Sequence, residues 1–205
     1  MRGKFIALEG GDGAGKSTTV AWLKRELSDK NIIFTREPGG TESAEEIREV
    51  LVKRRDDDLD VFSQILLFEA SRREHVVKKI IPALESGTHV ITDRFSASTY
   101  AYQIVAGEGS RYHDMYLSID TMVREGASPD LTIMLDVEPE LGIERKRDSG
   151  AELNTFDDKE IEFYVKVREA VRHYVSDKPH VIIDANCSEE EMHDSVKRAI
   201  LSCIE

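Results

Sequence analysis

Between Gly10 and Ser17 the chain reads GGDGAGKS, with four glycines in six residues and then a lysine and a hydroxyl. Gly10, Gly15, Lys16 and Ser17 fit the spacing G-x-x-x-x-G-K-[ST]. Glycines let the backbone curl until successive N–H groups point at one anion. A lysine at the end of such a loop reaches the β- and γ-phosphates of a nucleoside triphosphate, and the adjacent hydroxyl holds Mg²⁺. Gly10, Gly11, Asp12, Gly13, Ala14, Gly15, Lys16, Ser17 and Thr18 therefore form a candidate ATP-binding loop.

Two further sets of residues match that chemistry. TREPGGT (35–41) carries Arg36 ahead of Glu37-Pro38, an extended or turned dipeptide, and ahead of a glycine pair that permits a sharp reversal. ITDRF (91–95) ends an apolar run with Asp93-Arg94. The aspartate is placed to organise Mg²⁺ together with Ser17, and the arginine to grip a phosphate bidentately.

Strands must position these groups. Apolar, β-rich segments recur at 5–9, 32–35, 89–93, 131–137 and 180–184, and helical patterns fill 16–29, 43–54, 62–85, 97–105, 112–125, 139–148, 157–175 and 188–204. Such alternation predicts a parallel sheet covered by helices on both faces, with ligands beyond the C-terminal strand ends. Glu9, Arg36, Asp93-Arg94, Asp136 and Asp184 all fall at such ends.

Composition sets the boundaries. A chain of 205 residues with 40% apolar content is expected to form one domain, 1–205. No apolar run is long enough for a bilayer, and the N-terminus leads straight into the first strand, so neither a membrane span nor a signal peptide is expected. Cys187 and Cys203 lack metal-ligand spacing and read as reduced thiols of a cytoplasmic protein. The net charge of −12 argues against nucleic-acid binding, which needs a basic face. Positive charge must then be concentrated locally wherever phosphates bind.

EGGDGAGKST, TREPGGT, FEASRREH, DRFSASTYAYQ and PDLTIMLDV together resemble the thymidylate kinase family of P-loop nucleoside monophosphate kinases, over nearly the whole chain. Asp93, Arg94, Phe95, Ser98, Ala101 and Tyr102 match the family pattern D-R-[FYH]-x-x-S-x-x-[AVC]-[FY]. The resemblance implies a P-loop NTPase fold with a five-stranded parallel sheet in the order 2-3-1-4-5, a homodimer, and the reaction ATP + dTMP → ADP + dTDP with Mg²⁺. Carried over by motif, Asp12 would touch the acceptor's 3′-OH. Arg36, Arg48 and Arg94 would surround its 5′-phosphate beside Pro38 and Ser98. Phe68 would stack on thymine and Arg72 would donate to its O4. Thr99 and Gln103 would lie near the base edge, and Tyr102 where a ribose 2′-OH would be. Asn186, in IDANCS, would lie beside adenine.

The stretch 142–157 is expected to be a short lid. Gly13 leaves the phosphate loop without the arginine that another family type carries there, so Arg147 is the expected transition-state cation, with Arg145 nearer the adenine end. Two departures from the family stand out. Asn154-Thr155 replaces a frequent aspartate-arginine pair, and IVAGEGS (104–110) replaces a Gly-x-x-Arg-Gly run. A kinase of another deoxynucleoside monophosphate, such as dUMP, is the alternative on this scaffold. A GTPase-type switch would need an N/T-K-x-D element, which IDANCS lacks, and a binding module without turnover would not need Lys16, Ser17, Asp93 and Arg94 together. An acceptor phosphate is already anionic at neutral pH, so the expected catalysis is positioning and charge neutralisation by Lys16, Arg94, Arg145, Arg147 and Mg²⁺, without a general base.

Overall fold

The computed structural model describes residues 1–53, 57–148 and 160–205. Five strands, β1 (Phe5–Gly10), β2 (Ile32–Arg36), β3 (His89–Asp93), β4 (Leu131–Asp136) and β5 (His180–Asp184), form one sheet in the order β2-β3-β1-β4-β5. All neighbours are parallel, with Leu8 opposite Asp93, Gly10 opposite Leu135, Arg36 opposite Asp93 and Asp136 opposite Asp184. This register brings the polar strand ends to one edge of the sheet. The five-stranded parallel sheet expected from the alternation of elements is present, in the expected order.

The central strand is buried on both faces, which is why it reads as an unbroken apolar run and not as an alternation. Ile6 and Leu8 pack with Leu23 of α1 (Lys16–Glu26) and with Val196 and Ile200 of α9 (Glu189–Ile204). Phe5 and Ala7 face the other way, onto Val76, Ile80 and Leu84. A third cluster joins Met134 to Tyr116 of α6 (His113–Arg124) and to Val167 and Val171 of α8 (Ile161–Val175).

Two helices depart from the simple 3.6-residue reading. The expected helix 62–85 is helical throughout but runs as α3 (Val61–His75), a π-helical turn (Val76–Ile80) and α4 (Ile81–Glu85). Pro82 at the start of α4 has no N–H to give and crowds the carbonyl of residue 78, which favours the wider turn. The expected helix 97–105 begins as α5 (Ser96–Thr99) and continues as a π-helical segment, Tyr100–Val105. Helix α2 spans Glu42–Val52. The expected lid starts within α7 (Pro139–Asp148), and its remainder, with Asn154 and Thr155, lies outside the described residues, as do residues 54 and 157–159 of two expected helices.

The position of α7 follows from two glycines in backbone contact. Gly13 has φ 70°, and a Cβ on it would lie 1.9 Å from the Gly142 carbonyl oxygen. A Cβ on Gly142 would lie 2.5 Å from the Asp12 carbonyl oxygen. The helix therefore rests directly on the glycine-rich loop. Alanine in a helix interior ordinarily gains about 1 kcal/mol over glycine, whereas a methyl forced onto backbone costs about 1–3 kcal/mol. Gly142→Ala is accordingly expected to lower Tm in thermal denaturation by up to about 8 °C; a raised Tm would show that α7 does not bear on the loop.

Candidate active site

The loop between β1 and α1 leaves a helix N-terminus open. Gly15 at the N-cap has φ 83° and makes no side-chain cap, and the first turn of α1 holds no acid. The free N–H groups and the helix dipole thus face the loop unopposed. Lys16 is 6% exposed, and its Nζ donates to the carbonyls of Gly10 (2.9 Å) and Gly11 (2.7 Å). Burial, with the charge of Arg94, lowers the Lys16 ammonium to about 8, against the pull of Asp93, Asp12 and Glu9. A cavity of about 760 Å³ opens over this loop, lined by Gly13 to Thr18, Asp93, Arg145, Lys146, Ala185 and Cys187 among others.

Ser17 Oγ donates to Asp93 Oδ2 at 3.4 Å, and Asp93 Oδ1 is buried without a hydrogen-bond partner. Hard oxygen donors with an unsatisfied carboxylate oxygen suit Mg²⁺, which takes one or two protein ligands and completes its shell with water and phosphate. Among the described residues no cluster of three or more His, Cys, Asp or Glu side chains could hold a metal by itself. The Ser17–Asp93 pair is thus the place where such an ion fits.

Glu9 ends β1 fully buried and holds the segment after β3. It accepts from Phe95 N (2.8 Å), Ser98 N (3.3 Å) and Ser98 Oγ (2.6 Å). Burial pushes its carboxyl up, against these hydrogen bonds and the charge of Arg94. Between these anchors Arg94 adopts φ 70°, a conformation L side chains rarely take. Its Nη1 donates to Ser98 Oγ (3.0 Å) and Gly10 O (3.3 Å), and its Nη2 to Asp12 Oδ1 (2.5 Å). The guanidinium lies 5.1 Å from the Tyr102 ring centroid. Tyr102 OH also donates to Asp12 Oδ1, at 3.1 Å.

Asp12 and Arg94 also line a second, smaller cavity of about 120 Å³, together with Pro38, Arg48, Phe68, Arg72, Ser98, Thr99, Tyr102 and Gln103. Every residue that the family resemblance assigned to the acceptor lines it, except Arg36. Arg36 is exposed and paired with Glu45 at 2.8 Å, and it borders the larger cavity. Arg48 donates to Pro38 O at 3.0 Å. Burial lowers its guanidinium, and the charges of Arg36 and Arg94 add to that. The positive charge that the overall balance obscured is concentrated here.

Arg72 is 1% exposed and far more engaged than its expected role required. Nε donates to Glu37 Oε2 (2.9 Å), Nη1 to Glu69 and to Asp120 Oδ1 (3.5 Å), and Nη2 to Thr99 Oγ1 (2.8 Å). Burial alone would lower its guanidinium, but Glu69 and Glu37 raise it well above the ordinary value. Nη2 keeps a second N–H, and Arg72 lines the smaller cavity. Burial pushes the Glu69 carboxyl up to about 7, and its Oε2 has no partner. With His75 Nδ1 donating to Glu37 Oε1 (2.9 Å), its Nε2 is left to accept from Thr35 Oγ1 (2.8 Å). Gln103 Nε2 donates to Gln64 Oε1 at 3.4 Å.

On α7 the three consecutive basic residues diverge. Arg145 Nη1 donates to Ala185 O (2.7 Å), in the loop that also holds the exposed Asn186. Asn186 braces that loop, donating to Asp184 Oδ1 (2.7 Å) and accepting from Glu138 N (2.9 Å), and lines neither cavity. Arg147 is exposed and lines neither cavity, whereas Lys146 Nζ donates to Asp12 Oδ2 at 2.8 Å. Lys146 is the residue that sequence reasoning missed; it lies four residues after Gly142, on the face of α7 that meets the loop. Glu37, Glu69 and Asp120 were missed as well. Glu37 and Glu69 carried local signals, the first its place in the strand-tip loop and the second its i,i+3 spacing to Arg72, whereas Asp120 is brought in from a helix 48 residues beyond Arg72.

The thymidylate kinase family model matches residues 8–196. A thymidylate kinase of Hahella chejuensis is 38% identical over 203 residues, covering 97% of this chain and 96% of its own. One from Clostridium novyi is 39% identical over 202 residues, covering 96% and 97%. The crystal structure of thymidylate kinase from Ehrlichia chaffeensis superposes with a TM-score of 0.76 at 30% identity, with all of both chains covered. The loop, the two adjoining cavities and these full-length likenesses agree: the chain belongs to the thymidylate kinase family.

Proposed function

We infer that this protein transfers the γ-phosphoryl group of ATP to dTMP, giving ADP and dTDP. The observation that carries this reading is that Asp12 and Arg94 line both cavities. A donor over the glycine-rich loop and an acceptor in the smaller cavity would then meet at Arg94, with Arg48 also bordering both. The smaller cavity suits a pyrimidine nucleotide, with the Phe68 ring as an apolar wall and cations at Arg48 and Arg94. Arg72, held by carboxylates, presents a donor; thymine O4 accepts from it, whereas the amino group of cytosine would meet donor with donor.

The residues then have separable roles. Loop N–H groups and Lys16 bind the donor phosphates, and Lys16 must leave the Gly10 and Gly11 carbonyls to do so. Arg94, with Arg48 and Arg36, holds the acceptor phosphate, whose oxygen attacks without a general base. Ser17 and Asp93 would hold Mg²⁺, which supplies screening of the charge on the transferring phosphates. Arg145 supports the adenine side through Ala185.

A single catalytic domain and a homodimer complete the reading. The exposed apolar side chains Val50 of α2, Leu66 of α3, and Leu117 and Met122 of α6 support the dimer. No described helix is long and apolar enough to cross a membrane; the free thiols of Cys187 and Cys203 suit the cytoplasmic setting proposed here.

In a coupled ADP-release assay with MgATP, dTMP is expected to turn over faster than dCMP or dGMP. If dTMP matched a blank while another monophosphate did not, the acceptor assignment would be wrong. Arg94→Ala should raise the KM for dTMP by at least about tenfold and that for ATP far less. Lys16→Ala should instead abolish kcat; equal effects of the two variants on both substrates would contradict the division of roles. Donor phosphates stabilise the charged form of Lys16, so binding near its free value of about 8 takes up a proton. ATP affinity measured by calorimetry should therefore fall as pH rises from 8 through 9.5, and Lys16→Met should remove that slope.

A further inference from the structure

The carboxylate of Asp12 lies between two cations. Its Oδ1 accepts from Arg94 Nη2 and its Oδ2 from Lys146 Nζ, at 2.5 and 2.8 Å. All three side chains are largely shielded from solvent, at 14% for Asp12, 21% for Arg94 and 20% for Lys146. At these separations, with little water between, charge transmits strongly. Asp12 and Arg94 alone form a neutral pair. With Lys146 the trio carries one net positive charge.

That difference bears on the acceptor. Asp12 and Arg94 line both cavities, whereas Lys146 borders only the larger one and so reaches the smaller cavity only through Asp12. Lys146 also has a fixed origin: the contact of Gly142 with the Asp12 backbone fixes α7, and Lys146 follows one helical turn later on the same face. We infer that Lys146 is a positioning residue for the acceptor phosphate, acting through Asp12: by taking Oδ2 it keeps Asp12 from neutralising Arg94. The inference rests on the smaller cavity being the acceptor site. It gives the α7 lysine a role separate from that of Arg145 on the adenine side.

The test is steady-state kinetics on the full chain, varying dTMP and ATP separately, for wild type, Lys146→Met, Lys146→Arg, Asp12→Asn and the double variant Asp12→Asn/Lys146→Met. Lys146→Met should raise the KM for dTMP by about tenfold, and by more than that for ATP, whose cavity Lys146 also borders. Lys146→Arg should stay near wild type. In the Asp12→Asn background Lys146→Met should have no further effect on the dTMP KM, because no carboxylate remains to be shared. Calorimetric dTMP binding gives the same comparison if Asp12→Asn turns over too slowly, and an unchanged Tm separates these effects from misfolding. An unchanged dTMP KM in Lys146→Met overturns the inference. So does a rise in the ATP KM alone, or a full Lys146→Met effect on the dTMP KM in the Asp12→Asn background. A wild-type protein inactive on dTMP would instead overturn the acceptor assignment itself.

Discussion

Glu9 is the interaction on which the rest of the site depends. It is buried at the end of the central strand and binds the backbone and side chain of the segment that follows β3. The glycine-rich loop begins at the next residue, so one carboxylate ties that loop to the segment after β3. Arg94 sits inside that tie with φ 70°, a conformation that costs about 1–3 kcal/mol for a non-glycine residue. Hydrogen bonds contribute about 0.5–1.5 kcal/mol each, so the three that Glu9 accepts suffice to hold it. Arg94 N donating to Leu8 O at 2.9 Å fixes the other side of the same turn.

The second constraint is electrostatic. A chain of net charge −12 must gather cations to bind phosphates, and gathered cations repel. The protein answers by pairing those cations with carboxylates. Asp12 pairs with Arg94 and Lys146, and Glu45 accepts from Arg36 and from Gly40 N. Burial would raise the Asp12 carboxyl, yet Arg94, Lys16 and Lys146 hold it well below the usual range. Glu45 is lowered in the same way: its burial is outweighed by the Gly40 N–H and Arg36. A phosphate bound to these arginines would compete with the carboxylates, and its affinity would reflect the difference between the two.

Arg72 shows the opposite use of charge. Its carboxylate partners and Thr99 are all nearly inaccessible to water. Buried ion pairs contribute little net stability, but removing one member leaves an uncompensated charge. Such a cluster fixes one guanidinium orientation and leaves one Nη2–H unused by it.

The sequence by itself determined the strand-helix alternation, the sheet order through the family resemblance, and the glycine-rich loop. These are local patterns: an apolar run, a glycine spacing and an arginine at a strand tip are each set within a few residues. It also named nearly every side chain that lines the smaller cavity. Tertiary structure decided what those side chains are bound to. Arg72 meets Asp120 only because α3 and α6 pack together, and Glu9 meets Ser98 only because β1 and β3 are neighbours in the sheet. Along α7, the sequence pointed to Arg147 and Arg145, in different roles, and passed over Lys146. A helix separates consecutive residues by about 100°, so only one of the three can face the loop. The contact of Gly142 with Asp12 and Gly13, remote in sequence, made that residue Lys146.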